Sequence, residues 1–458
     1  MKKDPLIGKR VHAKCVDVSF EGKGVVFALD NAIFVSSMLP EDEGEIEISY
    51  RRNGAYFGKV VSLSALSPYR IEPLCPFGSA CGGCVYQSLS YAKEKELKER
   101  LIVNQFHRNG IETAIQPLLG TKEPYRYRNK VQVPFGTNKK GELIYGFYKE
   151  KSHDIVPSLS CVINDSISEQ ILRKLLSVLR RFNVSSYDEK TGKGLLRHAL
   201  IRVSRNVRNA MVVLICSNDS LKDSQDFINA VKEEVPEVTS LFLNVNNRQT
   251  NVILGDRFLK FYGPSYLKER LGDLLFLISP QSFFQVNSEM AEILYKTAID
   301  LADIQKDDVV FDAYSGTGAI GLFAAKAGAK NVIAVEVVKE TVEDSLLNAK
   351  NNSLRNYSAE VGDATEYIER MAKCGQSVDI LFMDPPRKGS TERFLEAALK
   401  LSPKKIVYVS CSPATLARDL KKLTEQYEIQ TVQPVDMFPR TPHVETILLL
   451  CRKDVKNS

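Results

Sequence analysis

The last third of the chain alternates short apolar runs with stretches long enough to form a helix. The runs are VVFDA (309–313), NVIAVEV (331–337), SAEVG (358–362), VDILFMD (378–384), KKIVYVS (404–410) and the closing TILLLCRK (446–453). Continuous apolar runs of this length are strands buried on both faces, and the stretches between them can cross back over a sheet. This alternation predicts an α/β domain over residues 276–458, a Rossmann-like parallel sheet with helices on both faces.

At 458 residues the chain is too long for one hydrophobic core, so further domains are expected upstream. Residues 6–66 read as five short alternating strands: RVHAKCVDVSF, GVVFALD, AIFVSS, EIEISY and YFGKVVSLS. Glycines and polar turns separate them, the pattern of a small OB-like β-barrel, placed at 1–68. A β-rich central domain is expected over 69–275, with charged helices near 91–108 and 168–182. The composition, 44% apolar and 26% charged, is that of a soluble globular protein. No apolar run approaches the roughly 20 residues that span a bilayer. The basic start MKKDPLIGKRVHAK has no apolar segment behind it. A cytoplasmic protein without a membrane partner is expected. The net charge of +6 is compatible with a nucleic-acid partner.

Strand VVFDA runs into YSGTGAIG, where Gly316, Gly318 and Gly321 give G-x-G-x-x-G. Alone this spacing is a tight strand-to-helix turn. Followed by Glu336 at the end of the next strand, it suits an adenosine-carrying ligand, with the acid on the ribose hydroxyls. NAD and S-adenosylmethionine both qualify. Asp363 in VGDATEY, placed to meet an adenine, and Asp384-Pro385-Pro386 at the end of the fourth strand favour S-adenosylmethionine. An acid before two prolines there resembles methyltransferases acting on planar bases.

The chain has nine cysteines. Cys75-x5-Cys81-x2-Cys84 concentrates three within ten residues, and Cys161 is the candidate fourth ligand. A zinc site of this kind is usually built from two CxxC pairs. The asymmetry here favours an iron–sulfur cluster. Residues 122–151 carry eight Lys or Arg against three acids, interleaved with Tyr125, Tyr127, Phe135, Tyr145, Phe147 and Tyr148. For any one aromatic a place in the core is the plainer reading. As a stretch, RNA contact is expected, with Arg126 and Arg128 on phosphates.

Cys411 in YVSCSPATLARDL stands where a strand gives way to a polar turn. It is a structural thiol, a metal ligand or a nucleophile. Carbon 5 of uracil is a poor nucleophile, and a thiolate added at carbon 6 makes it enolate-like. A methyl donor, an RNA partner and a lone thiol therefore fit together, provided a base removes the carbon 5 proton. Glu445 in PHVETILLL is the candidate base, with His443 as the other choice. A surface glutamate at a strand edge is the plain alternative.

GPSYLKER, SPQSFFQVN, DAYSGTGAIGL, MDPPRKG, YVSCSPATLARDL and PHVET, in this order, resemble the uridine-5 RNA methyltransferases of bacterial tRNA and 23S rRNA. The order GKR, EGKGVVF, IFVSSMLPEDEGEIEI resembles a TRAM domain, and with the cysteine cluster it resembles the rRNA branch. The resemblance implies Cys411 as nucleophile and Glu445 as base. It places Gln285, Tyr314, Glu336 and Asp384 on the donor S-adenosylmethionine, to which Gly316, Gly318 and Asp363 are added by position. It makes Cys75, Cys81, Cys84 and Cys161 the ligands of a 4Fe-4S cluster. The expected partner is 23S rRNA and not DNA. Two rivals are a tRNA m5U enzyme and a non-catalytic RNA-binding assembly factor. Ala319 departs from the family, which often carries Asn there.

Overall fold

The computed structural model describes residues 4–19, 21–149, 152–158, 160–221, 225–249 and 252–453. Phe20 of the first expected strand, and Glu150 and Lys151 of the basic stretch, lie outside the described residues. The five expected N-terminal strands are β1 (Arg10–Val18), β2 (Gly24–Ala28), β3 (Asn31–Ser36), β4 (Glu43–Arg52) and β5 (Ala55–Ala65). They close a barrel in the order β1-β2-β3-β5-β4. Alternation drives its filling: Ala13 and Cys15, Ile33 and Val35, and Ile46 and Ile48 point inward two residues apart. Closure removes the unpaired strand edges, and the barrel is consistent with an OB-like domain.

A one-turn helix α1 (Gly78–Cys81) precedes α2 (Tyr91–Arg108). Ser90 starts α2 by accepting a hydrogen bond from the Lys93 amide, and His107 and Arg108 suit its C-terminal end. Next come β6 (Lys130–Thr137), β7 (Leu143–Tyr148), β8 (Ile155–Pro157), α3 (Ser166–Arg181), β9 (Leu196–Ser204), β10 (Asn209–Cys216), α4 (Gln225–Glu234), β11 (Ser240–Val245) and β12 (Arg257–Tyr262). Their strands form one sheet, ordered β12-β11-β10-β9-β6-β7-β8. Ala199, Ile201 and Val203 of β9 pack with α3 and α4 on one face. Leu200, Met211 and Val213 on the other face join the C-terminal core through the hairpin β13 (Leu267–Leu271) and β14 (Leu274–Ile278). Burial on both faces accounts for the unbroken apolar sequence of β10.

The C-terminal part runs α5 (Ser288–Ala302), β15 (Val309–Ala313), α6 (Ala319–Lys326), β16 (Asn331–Glu336), α7 (Lys339–Asn351), β17 (Tyr357–Val361), α8 (Ala364–Lys373) and β18 (Ile380–Met383). It ends with α9 (Glu392–Leu401), β19 (Lys405–Ser410), α10 (Pro413–Leu423), β20 (Tyr427–Val435) and β21 (Glu445–Arg452). The sheet order is β17-β16-β15-β18-β19-β21-β20. β15 to β19 are parallel, as the alternation predicts. The closing strand is not: β21 lies antiparallel to both β19 and β20. β20 has no counterpart in the sequence reading. Residues 436–444 hold no helix, and a parallel return needs a crossover of roughly a dozen residues or more.

α2 packs against α10 and β20 of this C-terminal part although it precedes them by some three hundred residues. Ile102, Phe106, Ile111 and Leu118 share a core with Leu416, Leu420, Tyr427 and Val432. The chain after α2 then runs along β20. The Gln116 amide donates to the Val432 carbonyl at 2.8 Å, and the Leu119 amide to the Pro434 carbonyl at 3.0 Å. This covers the sheet's outer edge. Among the described residues no helix is long and apolar enough to cross a membrane.

Candidate active site

The parallel strands end in a row, and the residues after them line one cavity of about 1200 Å3. Ligands of open α/β sheets bind at such carboxyl ends. One small ligand needs roughly 300–1,000 Å3, so this cavity has room for a donor and a nucleotide together.

After β15 the chain turns through Tyr314 (φ +62), Gly316 (φ +52) and Gly318 (φ +78). A Cβ built at Gly316 would meet nothing within 4 Å, so the backbone faces open cavity. Gly318 does not line the cavity. It caps α6 and turns inward against the Tyr357 hydroxyl, so its role is to hold the turn. Glu336, at the end of β16, accepts from the Gly316 amide at 3.1 Å and the Val338 amide at 3.0 Å, bracing the glycine turn from the next strand. Asp363 caps α8, accepting from the Thr365 amide at 2.8 Å and the Glu366 amide at 3.1 Å, and still lines the cavity. Gln285 lies across from these, fixed by Asn129, which donates to its carbonyl at 3.1 Å. The glycine turn and Glu336 fit an adenosine-bearing donor.

Cys411 stands one residue past β19 and Glu445 is the first residue of β21. The register pairs Ser410 with Thr446, so the next step brings Cys411 and Glu445 side by side. Here the antiparallel strand matters. Had β21 run parallel, its first residue would lie at the opposite end of the sheet. Burial pushes the Glu445 carboxyl up to about 8, with the Asp384 charge adding and Arg387 opposing. Burial likewise raises Asp384 to about 7. The Cys411 thiol is pushed up to about 11 by burial, then by Glu445 and Asp384, while Arg387 pulls it down. Pro413 starts α10 immediately beyond, and a helix N-terminus favours a thiolate. His443 is held to about 4 by burial and by the cations Arg387, Lys98 and Arg128, so its imidazole is neutral and weakly basic.

Arg387, Asp312 and Tyr295 also line this end of the cavity and escape the sequence reading. Arg387 had a signal in DPPRKG, a cation beside an acid. Asp312, raised to about 8 by burial, accepts from the Gly321 amide at 2.9 Å, and an acid closing VVFDA was its signal. Tyr295 gave none, because it sits mid-helix in α5.

At the cavity's other end are Cys81, Cys84 and Cys161. Cys75 does not line it, and all four are free thiols. Burial pushes Cys84 up to about 12, and Cys161, Cys75 and Cys81 each add to the rise, so the four are electrostatic neighbours. Cys161 is raised to about 11, against the Ile163 and Asn164 amides. The donor set is that of a soft-metal centre with backbone amides beside it. Yet among the described residues no three His, Cys, Asp or Glu side chains are gathered as a metal-holding group. The four come from two segments of the chain, Cys75–Cys84 and the turn at Cys161.

Single aromatics of the basic stretch take the core places expected of them. Phe135 and Tyr145 are buried in the core. The Tyr127 hydroxyl donates to the Pro439 carbonyl at 3.1 Å. Arg126 donates to the Cys161 carbonyl at 2.8 Å, so it braces the cysteine segment. Alternate residues of a strand must face the core, and Phe135 of β6 and Tyr145 of β7 are among them.

A family model described as tRNA (uracil-5-)-methyltransferase matches residues 196–453. The chain belongs to this family. It is therefore an S-adenosylmethionine-dependent RNA methyltransferase. An uncharacterized RNA methyltransferase of Staphylococcus epidermidis is 38% identical over 443 residues, 96% of this chain and 97% of that protein. One from Clostridium tetani is 39% identical over 454 residues, 98% of each. The crystal structure of the Pyrococcus abyssi tRNA (uracil-54, C5)-methyltransferase in complex with S-adenosyl-L-homocysteine is similar with a TM-score of 0.77 and 27% identity. It covers 96% of this chain and 100% of that one.

Proposed function

We propose that the chain methylates carbon 5 of a uridine in 23S rRNA, with Cys411 as nucleophile and Glu445 as base. The observation that carries the chemistry is the β19–β21 register, which sets one thiol beside one carboxylate at the cavity's end. S-adenosylmethionine, held by Gln285, Tyr314, Gly316, Glu336, Asp363 and Asp384, supplies a methyl group on a sulfonium. Cys411 attacks as the thiolate, having first released its proton to solvent: its sulfur bonds to carbon 6, shifting the ring electron pair toward carbon 5. Carbon 5 bonds to the methyl carbon as the sulfonium–methyl bond breaks. Glu445 takes the carbon 5 proton, the ring double bond re-forms and the carbon–sulfur bond breaks, returning the thiolate. A carboxyl raised to about 8 suits that base better than an imidazole lowered to about 4, since a base works best with its pKa near the working pH. The uridine must be unpaired or flipped out to enter the cavity.

The choice of rRNA rests on the N-terminal barrel, read as a TRAM domain over 1–68, and on the four thiols in the central domain, 69–275. The catalytic domain is then 276–458. Cys75, Cys81, Cys84 and Cys161 would hold a 4Fe-4S cluster, which gives thiolate-bound iron a structural or RNA-positioning part. Methyl transfer itself needs no electron. A tRNA substrate is the second reading, favoured by the likeness to the Pyrococcus abyssi enzyme along nearly the whole chain.

RNA carrying 5-fluorouridine tests the chemistry, because fluorine at carbon 5 cannot leave as a proton. The wild-type protein should form a covalent complex. An equal yield from Cys411→Ala would sink the assignment. Methylation of purified 23S rRNA fragments against tRNA decides the substrate.

A further inference from the structure

Glu445 is presented by the loop 436–444, and this loop is tied to the cysteine segment rather than to the sheet around Cys411. Arg440 adopts a left-handed backbone, φ +71, which a non-glycine residue keeps only where its surroundings hold it. The holding is dense. The Arg440 amide donates to Glu94 at 2.7 Å. Its carbonyl accepts from the Tyr86 amide at 3.1 Å. Its guanidinium, in a residue 3% exposed, donates to the Leu89 carbonyl at 2.8 Å and pairs with Glu94 at 3.4 Å. It also lies 4.7 Å from the Tyr125 ring and 5.4 Å from Tyr91. Lys98, fully buried, adds bonds to Glu94 at 2.8 Å, Asp436 at 2.7 Å and the Phe438 carbonyl at 3.2 Å.

Tyr86 and Leu89 lie two and five residues after Cys84 in the chain. Cys411, by contrast, is positioned by β19 and α10, and Ser412 caps α10 on the Thr415 amide. We propose that Arg440 is a positioning residue for the base: it locks the 436–444 loop onto the segment after Cys84, so that the cysteine turn sets where Glu445 stands. The inference rests on Glu445 being the base. Its consequence is a split between the two halves of the reaction. Addition and methyl transfer need Cys411 and proceed. Proton removal and release need Glu445 in place and slow down.

The full-length enzyme is tested on one RNA fragment made with uridine or with 5-fluorouridine. Arg440→Ala should lower multiple turnover on uridine RNA about tenfold or more, since a misplacement of about 1 Å at a catalytic group costs up to 10²-fold. Its rate of covalent capture on 5-fluorouridine RNA should change less than about twofold, and methylated covalent complex should build up on ordinary RNA. Arg440→Lys should recover part of the turnover. In the Cys84→Ser/Arg440→Ala double variant the release defects should not multiply, as expected for residues acting through one connection. Glu445→Gln run alongside separates the two claims. If it accumulates no complex, Glu445 is not the base. If it does, and Arg440→Ala slows capture and turnover equally or neither, the positioning role is wrong. Should Arg440→Ala fail to fold, Tyr127→Phe removes only the bond to Pro439. It should show the same split at smaller size, and equal slowing would overturn the role.

Discussion

The two ends of the cavity each hold half-buried thiols, and desolvation treats them alike: Cys411 is raised to about 11 and Cys84 to about 12. What separates them is company. Around Cys411 stand Glu445, Asp384 and the cation Arg387, a set that can take a proton and steady a thiolate. Around Cys84 stand three more thiols, a soft donor set, together with the cation Arg128. Burial alone therefore says little about what a cysteine does. Its neighbours' charge and softness decide between attack and ligation.

The sharpest way to break this contrast is substitution at both ends. Cys411→Ala should take methyl transfer and capture on 5-fluorouridine RNA to background. Glu445→Gln should cut turnover by about 10²–10⁴-fold, the range for losing a general base, while leaving capture on 5-fluorouridine RNA intact. Cys84→Ser should cost about tenfold at most in turnover and instead remove iron, visible absorbance and roughly 2 kcal/mol of stability, read by metal analysis and thermal melts. Colourless, zinc-loaded wild-type protein would end the cluster reading and leave the catalytic end untouched.

A titration sharpens the comparison further. Glu445 sits above the ordinary glutamate range in the fold, at about 8. Between the two values the unfolded chain has released a proton that the folded chain keeps. Stability then falls with rising pH, by up to about 1.4 kcal/mol per pH unit, and levels off above about 8. Glu445→Gln should flatten that slope in melts taken from pH 5 to 9. Release of methylated RNA should rise through the same window, because the base must be ionised. The smallest expected effect is at Arg128, which lines the cavity near the thiols. Arg128→Glu should weaken RNA binding and reduce the slope of log affinity against log salt by about one.

The barrel strands, the ends of α2 at Tyr91 and Arg108, and strand β15 are all legible in the sequence, because alternation, an N-capping Ser90 and a glycine turn are local signals. The donor-side residues follow for the same reason, since strand ends can be counted. The direction of β21 is not legible: TILLL reads the same in either orientation, and only the absence of a crossover reverses it. Glu94 and Lys98 lie in a charged helix that looks solvated, and their burial depends on Asp436, which the chain supplies more than three hundred residues later. The basic stretch hides a different long-range contact. Its spacing suits phosphates, but Arg126 is already engaged by carbonyls of the fold.

The packing of α2 against α10 and β20 also sets a timetable for biosynthesis. Residues 91–118 leave the ribosome long before Val432 exists to cover Ile102 and Phe106. At roughly 5–20 residues per second that interval is on the order of 15–60 s. During it an apolar helix face waits unburied, a surface that chaperones recognise and that favours association between nascent chains. The covering of α2 by β20 and the pairing of β21 beside β19, which sets Glu445 next to Cys411, thus come together at the end of synthesis.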